Sequence, residues 1–199
     1  MNNHSQTLAA LIGSRICHDL ISPMGAVTNG LELLELSGMG ASPEMALISE
    51  SAADANARIR LFRLAFGTAS AGQSLRSEDL GAILATVYRT GRIALDYGLS
   101  GTVTQPLAQV VVLSLLCAEQ TIPFGGTLSV TQHEGQFEIS ATGGRLQIND
   151  QLWNSLGAMA PAPEVTPAQV QFLLLPERLA ALGRSAQVDH GETELRLRF

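Results

Sequence analysis

The chain has 199 residues, a net charge of −6 and 46% hydrophobic residues, which allows one or two domains with a substantial core and excludes a disordered chain. Its basic side chains form no cluster, so the sequence lacks the electrostatic footprint of a nucleic-acid-binding protein. Its apolar runs fall far short of the roughly 20 residues that a membrane span needs, and its N-terminus has no signal-type pattern, so we expect a cytoplasmic protein.

The two cysteines, Cys17 and Cys117, are 100 positions apart and show no metal-ligand spacing. We therefore expect neither a metal site nor, in the cytosol, a disulfide. Cys17 precedes His18, which makes a reactive thiol conceivable, but the pattern favours a small, partly buried apolar side chain.

The first third of the chain predicts two long amphipathic helices. The first runs from about Ser5 to Ser37, interrupted only by Pro23, and the turn follows at residues 37–40. The second opens with Ser42 as N-cap and Pro43 in the first helical position. Each helix carries one apolar stripe. The first stripe contains Ile12, Ile16, Leu20, Met24, Val27, Leu31 and Leu34, and the second contains Met45, Ile48, Ala52, Ala55, Ile59, Phe62 and Phe66.

Two long helices with a short turn predict an antiparallel hairpin. One hairpin cannot bury both stripes well, whereas two copies together would form a four-helix bundle. We therefore expect a homodimer.

A small, polar and flexible segment at residues 69–74 marks a domain boundary. We assign residues 1–72 to the helical hairpin and residues 76–199 to a second domain. In that domain, helices are expected from Ser77 to about Thr90, from Pro106 to about Gln120 and from Thr166 to Leu182, where Pro176 should kink or split the last helix. Strands are expected at residues 93–97, 127–131, 137–140 and 195–199. The fold class is α+β, with the second domain an α/β sandwich whose helices cover one face of a mixed sheet.

The most distinctive local feature is the segment around His18 on the first helix. At about 100° per residue, the imidazole lies almost opposite the apolar stripe, together with Ser22, Gly25 and Asn29, with Arg15 at the edge. An exposed histidine among small residues is accessible to a partner. Pro23, one turn after the pair His18 and Asp19, breaks a local rule of helix formation at a candidate site. The alternative is a solvent-facing histidine beside an ordinary kink.

Residues 18–23, His-Asp-Leu-Ile-Ser-Pro, resemble the phosphoacceptor box of sensor histidine kinases, from which they depart at Ile21, where kinases often have Arg. The longer stretch from Ser14 to Leu34 resembles the ChpT-like histidine phosphotransferases of alphaproteobacteria still more closely. The resemblance implies that His18 accepts a phosphoryl group. Asp19 is placed to orient the ring and hold its proton.

The same interpretation gives Arg15 and Ser22 supporting roles at the phosphoryl group, and Gly25 and Asn29 a docking role. For Arg15 a plain surface position is an equal alternative, and for Ser22 a hydrogen bond to its own helix is slightly favoured. The expected partners are a second copy of the chain and the receiver domains of a hybrid histidine kinase and of response regulators.

The resemblance also shows what the second domain lacks. Residues 111–120 hold no Asn at the position where a kinase ligates Mg²⁺. Residues 141–145 hold no adenine-binding Asp, and residues 160–165 form no phosphate-binding glycine run. We therefore expect a degenerate histidine-kinase ATPase-like domain without a cofactor.

The favoured hypothesis is a phosphorelay histidine phosphotransferase that shuttles a phosphoryl group between receiver-domain aspartates. The alternatives are an ATP-dependent sensor histidine kinase core, which the missing nucleotide boxes disfavour, and a non-catalytic dimerisation scaffold, which the intact His-Asp-Leu-x-Ser-Pro box disfavours.

Overall fold

The computed structural model describes residues 3–38, 42–157 and 164–199. The chain divides into two compact units, Met1–Thr68 and Ala69–Phe199. No helix among the described residues is both long and apolar enough to cross a bilayer.

The first unit is a hairpin of two helices, α1 (Asn3–Leu36) and α2 (Pro43–Phe66). The N-cap predicted at Ser42 is confirmed, because its hydroxyl accepts a hydrogen bond from the backbone N–H of Met45 at 3.2 Å and Pro43 occupies the first turn. At the end of α1, Gly38 has a φ of +80°, as expected for a helix-terminating glycine. The rest of the predicted turn, Met39 and Gly40, lies outside the described residues.

Much of the predicted apolar stripe of α1 is exposed in the single chain. Ile12, Ile16, Leu20 and Val27 are between 45% and 54% exposed. Among the described side chains of α1, that of Cys17 is buried. Cys17 lies beside the apolar stripe rather than on it. The two helices approach closely near Gly13, where an added Cβ would lie 3.2 Å from the backbone oxygen of Phe66. The hairpin thus packs through the face of α1 that holds Gly13 and Cys17, and it leaves much of the stripe uncovered.

The second unit combines short helices with two sheets. Its elements are β1 (Ser74–Arg76), α3 (Ser77–Val87), β2 (Ile93–Gly98), β3 (Thr102–Thr104), α4 (Gln105–Glu119), β4 (Gly126–His133), β5 (Gln136–Thr142), α5 (Asp150–Asn154), a 3-10 turn (Pro167–Gln169), α6 (Gln171–Ala181), β6 (Gln187–His190) and β7 (Glu194–Arg198).

The main sheet has the order β2-β4-β5-β7-β6 and is mixed, as predicted, because β2 pairs parallel with β4 while the other pairs are antiparallel. A separate two-stranded sheet joins β1 to β3. At the start of β4, Gly126 has a φ of +153°, and an added Cβ would lie 2.1 Å from the backbone oxygen of Thr142. Only glycine fits this crossing without a backbone shift.

The core lies between one face of the main sheet and the helices, as the alternation of the strands predicts. The inward side chains of β4, β5 and β7 are fully or almost fully buried, namely Leu128, Val130, Phe137, Ile139, Ala141, Leu195 and Leu197. Helix α4 packs against this face and is buried nearly all round. The outward positions carry polar side chains, including an ion pair between Arg198 and Glu138 with an N–O distance of 2.6 Å.

Several predicted boundaries in this unit were wrong. Helix α3 ends at Val87 rather than at about Thr90, and the hydroxyl of its first residue, Ser77, donates to the backbone oxygen of Leu99. The capping box at Thr166 is confirmed, but the chain changes from a 3-10 turn to α6 at Val170. Helix α6 is not split at Pro176, where buried neighbours such as Leu175 hold it against α4.

Candidate functional site

The imidazole of His18 projects from the middle of α1 into solvent. Its side chain is 78% exposed, and that of the neighbouring Asp19 is 51% exposed. The structure therefore confirms the exposure predicted from the helical pattern. No described side chain covers the ring, so a second protein can reach it without a rearrangement of the hairpin.

Asp19 connects His18 to Arg15 through its two carboxylate oxygens. One oxygen, Oδ1, lies 3.3 Å from His18 Nδ1, and the other, Oδ2, accepts a hydrogen bond from Arg15 Nε at 2.7 Å. When Nδ1 carries the ring proton it donates to Asp19, and the lone pair then resides on Nε2, the ring nitrogen away from the carboxylate. In that tautomer the three side chains form a short hydrogen-bonded chain that leaves the Nε2 lone pair unprotonated.

Both neighbours keep Asp19 ionised. The hydrogen bond from Arg15, and after it the hydrogen bond from His18, lowers the pKa of Asp19 below its ordinary value. The same contact raises the pKa of Arg15. At neutral pH Asp19 is therefore an anion that can hold the Nδ1 proton and stabilise positive charge on the ring.

Pro23 lies inside α1, which continues through it to Leu36. Proline has no N–H, so the helical hydrogen bond to the backbone oxygen of Asp19, four residues earlier, is missing. The helix turn directly after the His18–Asp19 pair thus has one backbone hydrogen bond fewer than the neighbouring turns.

The face around His18 carries small or short side chains. Ser22 and Asn29 are exposed, and a Cβ added at Gly25 would have no neighbour within 4 Å. Within the described part of the chain the hydroxyl of Ser22 makes no hydrogen bond to its own helix, unlike Thr28, which donates to Met24 O at 3.0 Å. The helix bond slightly favoured for Ser22 is therefore absent, and its hydroxyl faces solvent.

Cys17 is not part of this reactive face. Its side chain is 8% exposed, and burial raises the pKa of its thiol. A protonated, buried thiol is a poor nucleophile, which agrees with the predicted role as a small apolar side chain.

The second unit contains a cleft of about 250 Å³ beside the end of α4. Its lining consists of carboxamide, aliphatic and aromatic side chains without a charged group, namely Gln120, Gln147, Ile148, Asn149, Leu152, Trp153, Gln169 and Phe172. Trp153 packs edge-on against Phe172, with ring centroids 5.2 Å apart. Cations or backbone amide nests normally hold phosphate groups, and no basic side chain lines this cleft. The described residues also contain no cluster of His, Cys, Asp and Glu suited to a metal ion.

Comparison with known proteins places these features in context. Residues 77–194 match the family model of the histidine phosphotransferase C-terminal domain. The chain is 34% identical over 170 residues to the protein phosphotransferase ChpT of Brucella abortus (strain 2308), an alignment that covers 82% of this chain and 81% of that protein.

One solved structure supports the same fold. A bacterial phosphotransferase solved at 1.7 Å superposes with a TM-score of 0.70 and 25% identity, over 100% of this chain and 97% of that chain. A histidine kinase domain from Erythrobacter litoralis EL346, part of a blue-light activated kinase, matches with a TM-score of 0.49 and 14% identity, over 92% of each chain. The first of these supports the hairpin followed by a mixed α/β unit as one family architecture.

Proposed function

Because this chain belongs to the histidine phosphotransferase family, we propose that its phosphoryl carrier is His18, which exchanges the group with receiver-domain aspartates. The chain as a whole is a phosphorelay phosphotransferase. The observation that carries the assignment of His18 is its exposed ring with Nδ1 3.3 Å from Asp19 Oδ1. The family relationship disfavours the kinase and scaffold alternatives.

In the proposed reaction, the lone pair of His18 Nε2 attacks the phosphorus of an aspartyl phosphate. The P–N bond forms as the P–O bond to the receiver aspartate breaks, and the receiver carboxylate leaves with the bonding electron pair. The ring becomes positively charged, and Asp19 stabilises it through the Nδ1 proton. Reversal onto a second receiver returns the ring to its neutral form. Such transfers depend on alignment and charge balance more than on covalent chemistry of the protein.

The receiver domains of a hybrid kinase and of response regulators are the proposed donor and acceptor. Their reactive aspartate must come within bonding distance of Nε2, so the docking face must be free of bulk. Ser22, Gly25 and Asn29 supply such a face, because two are exposed and short and the third has no side chain. Ser22 is placed one turn after His18, where its unpaired hydroxyl is available to a phosphoryl oxygen.

The proposed assembly is a homodimer in which two hairpins form a four-helix bundle. Stripe residues of both helices support it, since Ile16 is 54% and Phe62 is 42% exposed in the single chain. Each Leu, Ile or Phe that becomes fully buried contributes about 1.5–3 kcal/mol. Light scattering should give close to 42 kDa, twice the 21.0 kDa of one chain. Ile16→Asp should dissociate the dimer, whereas Leu33→Asp, also exposed but off the stripe, should not.

We further propose that residues 76–199 form a degenerate ATPase-like domain that binds no ATP. The cleft beside α4 supports this because its lining carries no basic group for a triphosphate. Calorimetry with ATP and Mg²⁺ should detect no binding. Micromolar affinity, or phosphorylation of His18 from ATP alone, would instead support the kinase alternative. The cytoplasmic location predicted from the sequence stays a prediction.

The decisive experiment follows labelled phosphoryl groups between two receivers. Labelled receiver is mixed with unlabelled protein and a second receiver, and the label is followed on a gel. His18→Ala should abolish transfer, and the label on the wild-type protein should be acid-labile, as a P–N bond is. The control is His133→Ala, which removes an exposed histidine from the second unit. Equal transfer by the His18→Ala protein would disprove the assignment.

A further inference from the structure

Arg15 is the arginine of α1 beside the candidate phosphoryl site, and its guanidinium binds Asp19. Residues 3–36 contain no other Arg and no Lys. On a helix, Arg15 is offset by about 60° from His18 and by about 40° from Asp19, one turn before both. A guanidinium at this position can reach either the carboxylate or a group attached to the imidazole.

The contact between Arg15 and Asp19 is easy to exchange. It uses Nε alone, at 2.7 Å from Oδ2, although a guanidinium and a carboxylate can form two parallel bonds. The side chains are 78% and 51% exposed, and ion pairs as exposed as this one are weak and are screened by salt. A phosphoryl group carries more charge than a carboxylate and offers three oxygens, so it competes well for Arg15.

We propose that Arg15 changes partner during transfer, binding Asp19 in the resting protein and the phosphoryl oxygens when His18 is being phosphorylated. The proposal rests on the proposed function of His18. As a consequence, one movement of the Arg15 side chain changes the electrostatic surroundings of both the phosphoryl group and Asp19. Arg15 neutralises the phosphoryl group on one side of the ring, and its departure restores the full negative charge of Asp19 next to Nδ1 on the other.

This exchange fits the needs of the reaction. In the resting protein Arg15 and His18 both bind Asp19, and Arg15 contributes most to the lowered pKa of that carboxylate. While the P–N bond forms, positive charge develops on the ring. The oxygens of the transferring phosphoryl group carry negative charge at the same time. A hydrogen bond from Arg15 to those oxygens therefore stabilises the transition state more than the resting complex. Such a contact accelerates phosphoryl transfer rather than tightening the binding of the receiver.

The first test is a double-mutant cycle between Arg15→Gln and Asp19→Asn, measured in single-turnover transfer from a phosphorylated receiver. Arg15→Gln should lower the maximum rate about tenfold in both backgrounds, the ratio expected for one charge-assisted hydrogen bond made in the transition state. The half-saturating receiver concentration should change less than about threefold, since the contact is not a docking contact. If Arg15 served only to hold Asp19, its substitution would have no effect once Asp19→Asn is present, and that result would overturn the proposal.

The matched control is Arg76→Gln. Arg76 forms a similarly exposed pair with Asp79, through hydrogen bonds from Nε at 3.0 Å and from Nη2 at 2.7 Å, with side chains 71% and 53% exposed. Its loss should leave the transfer rate unchanged. All these residues are exposed, so the variants should keep the circular dichroism spectrum of the wild-type protein.

A second test is independent of any receiver. Phosphoramidate donates its phosphoryl group directly to imidazole with release of ammonia, and the Nε–H resonance of Arg15 is followed by NMR. On phosphorylation of His18 this resonance should move, while that of Arg76 stays. An Arg15 resonance that keeps its resting position on the phosphorylated protein would overturn the exchange. A protein that shows the exchange with phosphoramidate but accepts no label from receivers would instead contradict the proposed function.

Discussion

The substitution Gly25→Arg should weaken receiver docking without destabilising the hairpin, and it leaves the phosphoacceptor His18 in place. In the structure, a Cβ at this position has no neighbour within 4 Å, and its backbone is helical. The new side chain therefore displaces nothing in the hairpin. Glycine is less favourable than Arg in a helix interior by about 0.8 kcal/mol, so the free energy of unfolding should rise by about that amount. For a chain of this size the midpoint of thermal unfolding should increase by about 2 °C.

The same substitution should weaken the receiver complex. An Arg side chain fills the space next to His18 that a receiver must enter, and we expect affinity to fall about tenfold or more, equivalent to about 1.4 kcal/mol. Calorimetry with an unphosphorylated receiver measures the affinity, and differential scanning calorimetry measures the stability. Gly25→Ala is the matched control, because it shares the helical gain but adds one methyl group. It should bind almost as well as the wild-type protein.

Two results would refute this reasoning. A drop in thermal stability for Gly25→Arg would show that the space beside Gly25 is needed by the fold. Unchanged transfer and affinity, with an intact fold, would show that receivers dock elsewhere. Chemical phosphorylation of His18 by phosphoramidate should persist in the variant, which proves that the acceptor itself is intact.

Three further predictions test the electrostatics and the fold. Because Arg15 lowers the pKa of Asp19, the Asp19 carboxyl followed by carbon-13 NMR should titrate below the ordinary range of an aspartate, and Arg15→Gln should move that titration to higher pH. Burial raises the pKa of Tyr97 to about 12, so the folded state holds this proton longer than the unfolded state. Stability should fall as pH rises from about 10 towards the folded pKa, and Tyr97→Phe should reduce that fall in alkaline denaturant titrations. Gly126→Ala should lower the free energy of unfolding by about 2 kcal/mol or more because of its positive φ and its contact with a neighbouring backbone, whereas Gly144→Ala, which meets no atom within 4 Å, should change it little.

Much of the fold was predictable because its signals are local. Both hairpin helices follow from apolar spacing, and the start of α2 follows from Ser42 and Pro43, whose capping contacts involve only the next few residues. The strands β4, β5 and β7 follow from alternation, because one face of each is buried and the other is polar. The exposure of His18 also follows from its angular position on α1.

Other elements depended on contacts between distant parts of the chain and carried no such signal. The strands β1, β3 and β6 have three or four residues each and exist because a partner strand satisfies their backbone groups. Helix α5 has five residues, and Trp153 holds it by packing against Phe172. Residues this few show no reliable period, so sequence reasoning missed them.

The candidate site shows the same division. The sequence by itself determined that His18, Asp19 and Arg15 share one exposed region of a helix, since 3.6 residues per turn dictate their directions. Only the tertiary structure decided which face of α1 meets α2. With Gly13 close to Phe66 and Cys17 buried, much of the apolar stripe faces outwards and is uncovered in one chain. Periodicity specifies an apolar face but not the surface that covers it, because packing between helices depends on the shapes of side chains far apart in the sequence.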